Sequence, residues 1–142
     1  QIMSMNAPTI KTVIDPEDRL NFGPEWLTLP GFMAFEHCLY NLARDMVEGY
    51  NGGLWDSYRL SNGIRFIQFG EDNARFHLTS PNYADHEVTA EATAITLNLC
   101  ALSHACFYTE GKAQGQLSNA FHELREWAMG HAEAEANFNL ID

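Results

Sequence analysis

Apolar side chains recur at intervals of three and four between Gly31 and Glu48, where Phe32, Phe35, Leu39, Leu42 and Met46 fall on one stripe. Glu36, Asn41, Arg44, Asp45 and Glu48 take the other face, so the spacing predicts an amphipathic helix that Gly49 is placed to end. The period then changes to two. Leu54–Leu60 and Ile64–Phe69 read as strands flanking Ser61-Asn62-Gly63, and Asn-Gly readily takes the left-handed conformations of a type I′ hairpin turn. After the turn Gly70-Glu71-Asp72-Asn73, Phe76 and Leu78 alternate with polar neighbours over Arg75–Thr79. The pattern predicts a three-stranded antiparallel meander, followed by a loop from Ser80 to Val88.

Beyond that loop the helical period returns. Thr89 is placed as the N-cap of a helix over Ala90–Phe107 that is apolar on most of its sides, which assigns it to the centre of the fold. Glu110–Gln116 reads as a glycine-containing linker, Leu117–Met129 as a third helix stopped by Gly130, and His131–Phe138 as a last short helix before a Leu140-Ile141-Asp142 tail. Upstream, residues 1–15 show no periodicity and predict a mobile arm. Asp15-Pro16-Glu17-Asp18 has the form of a helix start, and Pro24 and Pro30 punctuate a connector holding Phe22, Trp26 and Leu29. Helix, meander and helices in that order predict a single α+β domain with about four helices packed on a three-stranded antiparallel sheet.

Composition narrows the function. Within 142 residues, 46% hydrophobic and 19% charged positions suit one buried core. Nineteen acidic and eight basic side chains give a net charge of -11, which repels phosphate and argues against direct nucleic-acid binding. The opposite idea, an acidic mimic of DNA, meets a count. A globule of this length has a radius of gyration of ~15 Å and a diameter of roughly 37 Å, and duplex DNA of that length carries about 22 charges. Nearly all the acids would have to share one surface, yet they are spread over every segment with Arg44, Arg59, Arg65 and Arg75 among them. No apolar run is long enough to span a bilayer, and Gln1–Met5 lacks the basic and apolar regions of a signal peptide, so a cytoplasmic protein is expected.

Enzyme motifs are missing. His122-Glu123-Leu124-Arg125-Glu126 is half of the HExxH zinc pattern, with Glu126 where the second histidine belongs, and reads as a solvated helix face. Asp85-His86-Glu87 suits the electrostatics of a helix start. Gly52-Gly53 fits no phosphate-loop pattern, and no lysine lies between Lys11 and Lys112. Cys38, Cys100 and Cys106 have no CxxC or zinc spacing and read as reduced, structural thiols; a Cys/His hydrolase is kept only as a remote alternative. No catalytic residue, metal or cofactor is expected.

What stands out is Tyr50–Gly63, where Tyr50, Gly52, Gly53, Trp55, Tyr58, Asn62 and Gly63 crowd together. Tyr and Trp anchor interfaces, and they also fill the buried face of a sheet. The segment resembles the Tyr-x-Gly-Gly-x-Trp-x-x-Tyr-x-Leu-Ser-Asn-Gly signature of the ArdB/KlcA antirestriction family. Thr89-Ala90-Glu91-Ala92-Thr93-Ala94-Ile95 stands where that family has Ser-Ala-Asp-Ala-Ala-Gly-Ile, and His122–Ala128 is similar to its His-x-Leu-Arg-Asp-Tyr-Ala helix. Arg19, Glu36 and the terminal Ile141-Asp142 agree in order. The resemblance covers residues 16–142, which it marks as the antirestriction domain. It departs at Ile64–Phe69, continuous strand where the family has a Gly-rich or Pro-rich stretch, and at Ser80–His86.

The resemblance implies a small, non-enzymatic protein of plasmids and other mobile elements that shields incoming DNA from type I restriction–modification. Its action would be indirect, through a protein target, with no direct contact to nucleic acid or membrane, as a monomer or weak dimer. By position, Arg19, Glu36, Trp55 and Asp142 are the residues implied to matter, with Tyr50, Gly52, Gly53, Tyr58, Asn62 and Gly63 of the signature as further interaction candidates. Each also has a structural reading: Arg19 paired to an acid, Trp55 in the core, Asp142 solvated.

Overall fold

The computed structural model describes residues 9–142. In chain order it runs β1 (Lys11–Val13), a 3-10 turn (Pro16–Asp18), α1 (Arg19–Leu27), α2 (Leu29–Met46), β2 (Trp55–Leu60), β3 (Arg65–Phe69), β4 (Arg75–Thr79), β5 (Asp85–Thr89), α3 (Ala90–Ala105), a 3-10 turn (Cys106–Tyr108), α4 (Gly111–Ala128) and α5 (Ala134–Ile141). The α+β class holds, with helices around a three-stranded antiparallel sheet.

The membership of that sheet differs from the expected meander. β2 pairs with β3 through the Asn-Gly hairpin, with Trp55 opposite Phe69 and Tyr58 opposite Phe66. The third strand is β1, whose Lys11, Thr12 and Val13 lie opposite Leu60, Arg59 and Tyr58. Residues 11–13 of the expected arm are thus strand, and Ile14 after them is buried, whereas residues 1–8 of that arm lie outside the described residues.

β4 instead pairs with β5 in a separate two-stranded sheet, where a loop was expected. The reason lies on the outer edge of β3. Asn98 on α3 accepts from the Ile67 N–H at 3.0 Å and donates to the Ile67 carbonyl at 2.7 Å, doing with one amide what a neighbouring strand would do. With helix α3 on that edge, β4 has no place beside β3, and Phe76 and Leu78 find partners in Val88 and His86.

Helix α3 sits at the centre, with twelve of its sixteen residues buried. Thr89 caps it as expected, accepting from the Ala92 N–H. The connector around Pro24 is helical: α1 buries Phe22 and Leu27 and crosses α2 where Gly23 meets the Phe32 ring, so closely that a Cβ on Gly23 would lie 2.3 Å from it. Burial on that face outweighs the loss of one hydrogen bond at Pro24. The expected linker Glu110–Gln116 is also largely helix. Gln114 ties it down by donating to the carbonyls of Cys106 and Thr109, despite Gly111 and Gly115. The last helix starts later than the sequence predicts and takes up Leu140 and Ile141, with Leu140 buried.

Candidate functional site

Helix α2 carries Glu36, Tyr40 and Arg44 at successive spacings of four, which places them on one face. The loop after α2 brings Tyr50 to Leu54 back alongside that face, and β2 begins with Trp55. Between them lies an open groove of about 650 Å³, walled by Tyr40, Arg44, Tyr50 and Trp55 and floored by the Asn51–Leu54 loop.

Trp55 is the centre of the aromatic wall. Its ring lies 4.7 Å from Phe69, 5.5 Å from Tyr40 and 6.0 Å from Tyr50, in tilted and edge-on arrangements that suit aromatic quadrupoles. Its indole N–H donates to the Tyr50 hydroxyl at 3.0 Å, so the one polar atom of the ring is satisfied inside the cluster. Phe69 passes the contact on to Phe76, 4.7 Å away. Tyr40 donates to Glu36 at 3.0 Å; burial and that carboxylate push its phenol well above the usual tyrosine range, so it stays protonated.

Gly52 and Gly53 take φ of +98° and +125°, and a Cβ on either would meet nothing within 4 Å. They are needed for backbone conformation alone, since L side chains rarely adopt that region. Leu54 beside them is 90% exposed, an apolar side chain held out at the rim of the groove.

The expected site residues divide into four places. Tyr50, Gly52, Gly53 and Trp55 form the groove, Glu36 stands behind Tyr40, and Arg19 at the start of α1 donates to Asp56 at 2.7 Å, one residue along β2 from Trp55. Tyr58 is elsewhere, stacked on Phe66 at 5.8 Å with the Lys11 ammonium 4.4 Å from its ring. Asn62 and Gly63 make the hairpin turn at the far end of β2, roughly 20 Å away at strand rise. There Asn62 accepts from the Ile64 N–H and Gly63 takes φ +93°, but Asn62 itself is not left-handed: Leu60 pairs with Ile64 across three residues, so the hairpin closes without the expected type I′ turn. Asp142 lines a different cavity of about 210 Å³ with Met46, Asn82, Cys100 and His104.

Cys100 and His104 share that cavity, one helical turn apart, and no hydrogen bond joins them. Burial pushes the Cys100 thiol up to about 11, and the Cys38 and Cys106 thiols are raised for the same reason, so none is activated as a nucleophile. Among the described residues, no group of three or more His, Cys, Asp and Glu side chains is arranged to hold a metal. No helix there is long and apolar enough to cross a membrane.

Tyr40 and Arg44 were not singled out by sequence, although they follow Glu36 at successive intervals of four, which was a usable signal. A polar cluster under β1 had no such signal. Lys11 donates to Gln68 at 2.8 Å and to Glu91 at 2.9 Å and pairs with Asp72. Glu91 accepts from His131 Nε2 at 2.9 Å, while His131 Nδ1 accepts from the Glu133 N–H, which leaves Nε2 to carry the proton. The His131 hydrogen bond and then Lys11 hold the Glu91 carboxyl down to about 2, against the upward push of burial.

Residues 48–142 match the family model described as "Antirestriction protein". Along almost its whole length the chain is similar to the antirestriction protein KlcA of Escherichia coli, 30% identical over 140 residues covering 96% of this chain and 95% of that one. It is 38% identical over 136 residues to the putative antirestriction protein YubI of Escherichia coli strain K12, covering 95% and 94% of the two chains. The solved structure of the KlcA and ArdB proteins, described as a novel fold with antirestriction activity against type I DNA restriction systems in vivo but not in vitro, superposes with a TM-score of 0.80. That match has 29% identity and covers 96% of each chain.

Proposed function

Because this chain belongs to the antirestriction protein family, we propose that it counteracts host type I restriction–modification and so protects incoming plasmid or phage DNA. It does so in the cytoplasm, without catalysis, through a protein partner rather than by contact with DNA. The observation that carries this reading is the Trp55 groove, in which the family-like signature residues Tyr50, Gly52, Gly53 and Trp55 form one open surface with an exposed leucine at its rim. Activity in vivo but not in vitro, described for the KlcA and ArdB proteins, favours a route that needs a further cellular component. The rest of the expected domain 16–142, together with β1, serves to hold this surface.

An acidic DNA mimic fits less well. Several of the acids are paired with cations set among them: Asp72 and Glu91 with the one ammonium of Lys11, Asp56 with Arg19, and Glu87 with Arg75. A phosphate-like stripe needs its charges unpaired and contiguous.

The test is survival of unmodified phage or plasmid DNA in cells carrying a type I system and expressing this chain. The intact protein raises survival; Leu54→Ser, Trp55→Ala and a chain lacking Asp142 lower it. Leu54→Ser is the most informative of these, since the side chain is exposed and its loss leaves thermal unfolding unchanged. Full protection by Leu54→Ser and Trp55→Ala alike removes the groove from the reading, and no protection by the intact chain across several type I systems removes the function.

A further inference from the structure

Arg44 is the one charged side chain among the described residues that line the groove. Arg44 is one of only eight cations in a chain of net charge -11, and it is exposed at the groove wall. Its guanidinium donates to Asn41, and among the described residues no carboxylate lies within ion-pair distance of it. A guanidinium carries five N–H donors in a planar fork, so most of its hydrogen-bonding capacity points to solvent. Glu36 accepts from the Tyr40 hydroxyl behind the groove wall and does not itself line the groove. A cationic guest on these aromatic faces would meet Arg44 first. An anionic one would be drawn to it.

We infer that the Tyr40–Arg44–Tyr50–Trp55 groove binds an acidic peptide segment of a partner protein, one carboxylate seating on Arg44 while a neighbouring aliphatic or aromatic side chain packs on Tyr50 and Trp55. The volume, about 650 Å³, lies in the range of pockets that enclose a small molecule and so takes two or three side chains. Arg and Trp side by side are the residues most often found to dominate binding energy at interfaces. Charge complementarity is also what lets a strongly acidic protein capture an acidic segment at all: elsewhere on its surface that segment is repelled, so the groove is both attractive and selective. The inference rests on the groove being the partner-facing surface.

The Trp55 indole N–H provides the readout, because it is fixed by the Tyr50 hydroxyl and reports any guest placed against the ring. The full chain, labelled with nitrogen-15, is titrated with an eight-residue peptide of alternating Glu with Leu and Phe, and with its Gln and Lys counterparts. The expected result is a saturable shift of the Trp55 indole signal with the Glu peptide, at least roughly tenfold weaker binding of the Gln peptide, and none with the Lys peptide. Arg44→Gln, a change at an exposed position, reduces binding of the Glu peptide by the same factor, Arg44→Lys restores part of it, and added salt weakens it. Equal binding of the Glu and Gln peptides, no effect of Arg44→Gln, or no shift with any peptide overturns the inference. Protection assays separate this from the function itself. Lost protection in Trp55→Ala with full protection in Arg44→Gln keeps the groove and rejects the acidic partner, whereas full protection in Trp55→Ala rejects the groove as the working surface.

Discussion

Trp55 and Tyr50 show how one hydrogen bond orders a surface. With the indole N–H donated to the Tyr50 hydroxyl, the loop that carries Gly52 and Gly53 is tied to the first residue of β2. Tyr50→Phe keeps the ring and leaves the indole N–H unpaired in a half-buried cluster, at an expected cost of about 1 kcal/mol in urea unfolding. Trp55→Phe keeps a ring against Phe69 and loses the same bond, so the two variants together cost less than their sum. Gly23 is the other position where a single atom matters. Gly23→Ala drives a methyl into the Phe32 ring and is expected to cost about 1–3 kcal/mol, read as a fall of several degrees in Tm.

At the scale of elements, much of the fold is legible in the pattern. The stripe from Phe32 to Met46, the Asn62-Gly63 turn and the Thr89 cap each give an element where the periodicity predicts one, because burial and turn chemistry there are local. The errors arise where a distant residue decides. Pro24 and the glycines at 111 and 115 read as breaks, yet tertiary burial and the Gln114 side chain keep those stretches helical. Arg75–Thr79 is a strand as expected, but its partner is settled by Asn98, which lies 31 residues beyond the Ile67 backbone that it occupies. Asn98→Leu strands the Ile67 N–H and C=O in the interior and is expected to cost about 2–4 kcal/mol, measurable by chemical denaturation. The groove was half legible: Tyr50 and Trp55 lie in a dense run, whereas Arg44 looked like one more residue of a solvated helix face.

For the molecule as a whole, the cluster beneath β1 couples the first described strand to α3 and to the turn between α4 and α5. Glu91 has its carboxyl lowered from 4.5 to about 2 in the folded protein, so the unfolded chain takes up a proton there at higher pH than the folded one. Its contribution is complete above pH 4.5 and is lost as pH falls toward 2, on the order of 3 kcal/mol over that window. Glu91→Gln is expected to lower stability at pH 7 and flatten the acid limb between pH 4.5 and 2, followed by thermal unfolding across pH. Lys11→Met, which releases β1 from Glu91, Gln68 and Asp72, is expected to cost about 2 kcal/mol or more and to leave Glu91 bonded to His131 alone.

That cluster also bears on how the protein is made. Lys11 and His131 are separated by 120 residues, and at ~5–20 residues per second the ribosome takes roughly 6–24 s to travel between them. β1 leaves the ribosome ahead of every other described element, and its own partners, β2 together with Gln68, Asp72 and Glu91, follow within 80 residues, while Glu91 waits a further 40 residues for His131. The strand can therefore dock before the cluster is complete, and the His131 hydrogen bond closes a site that Lys11 has already reached.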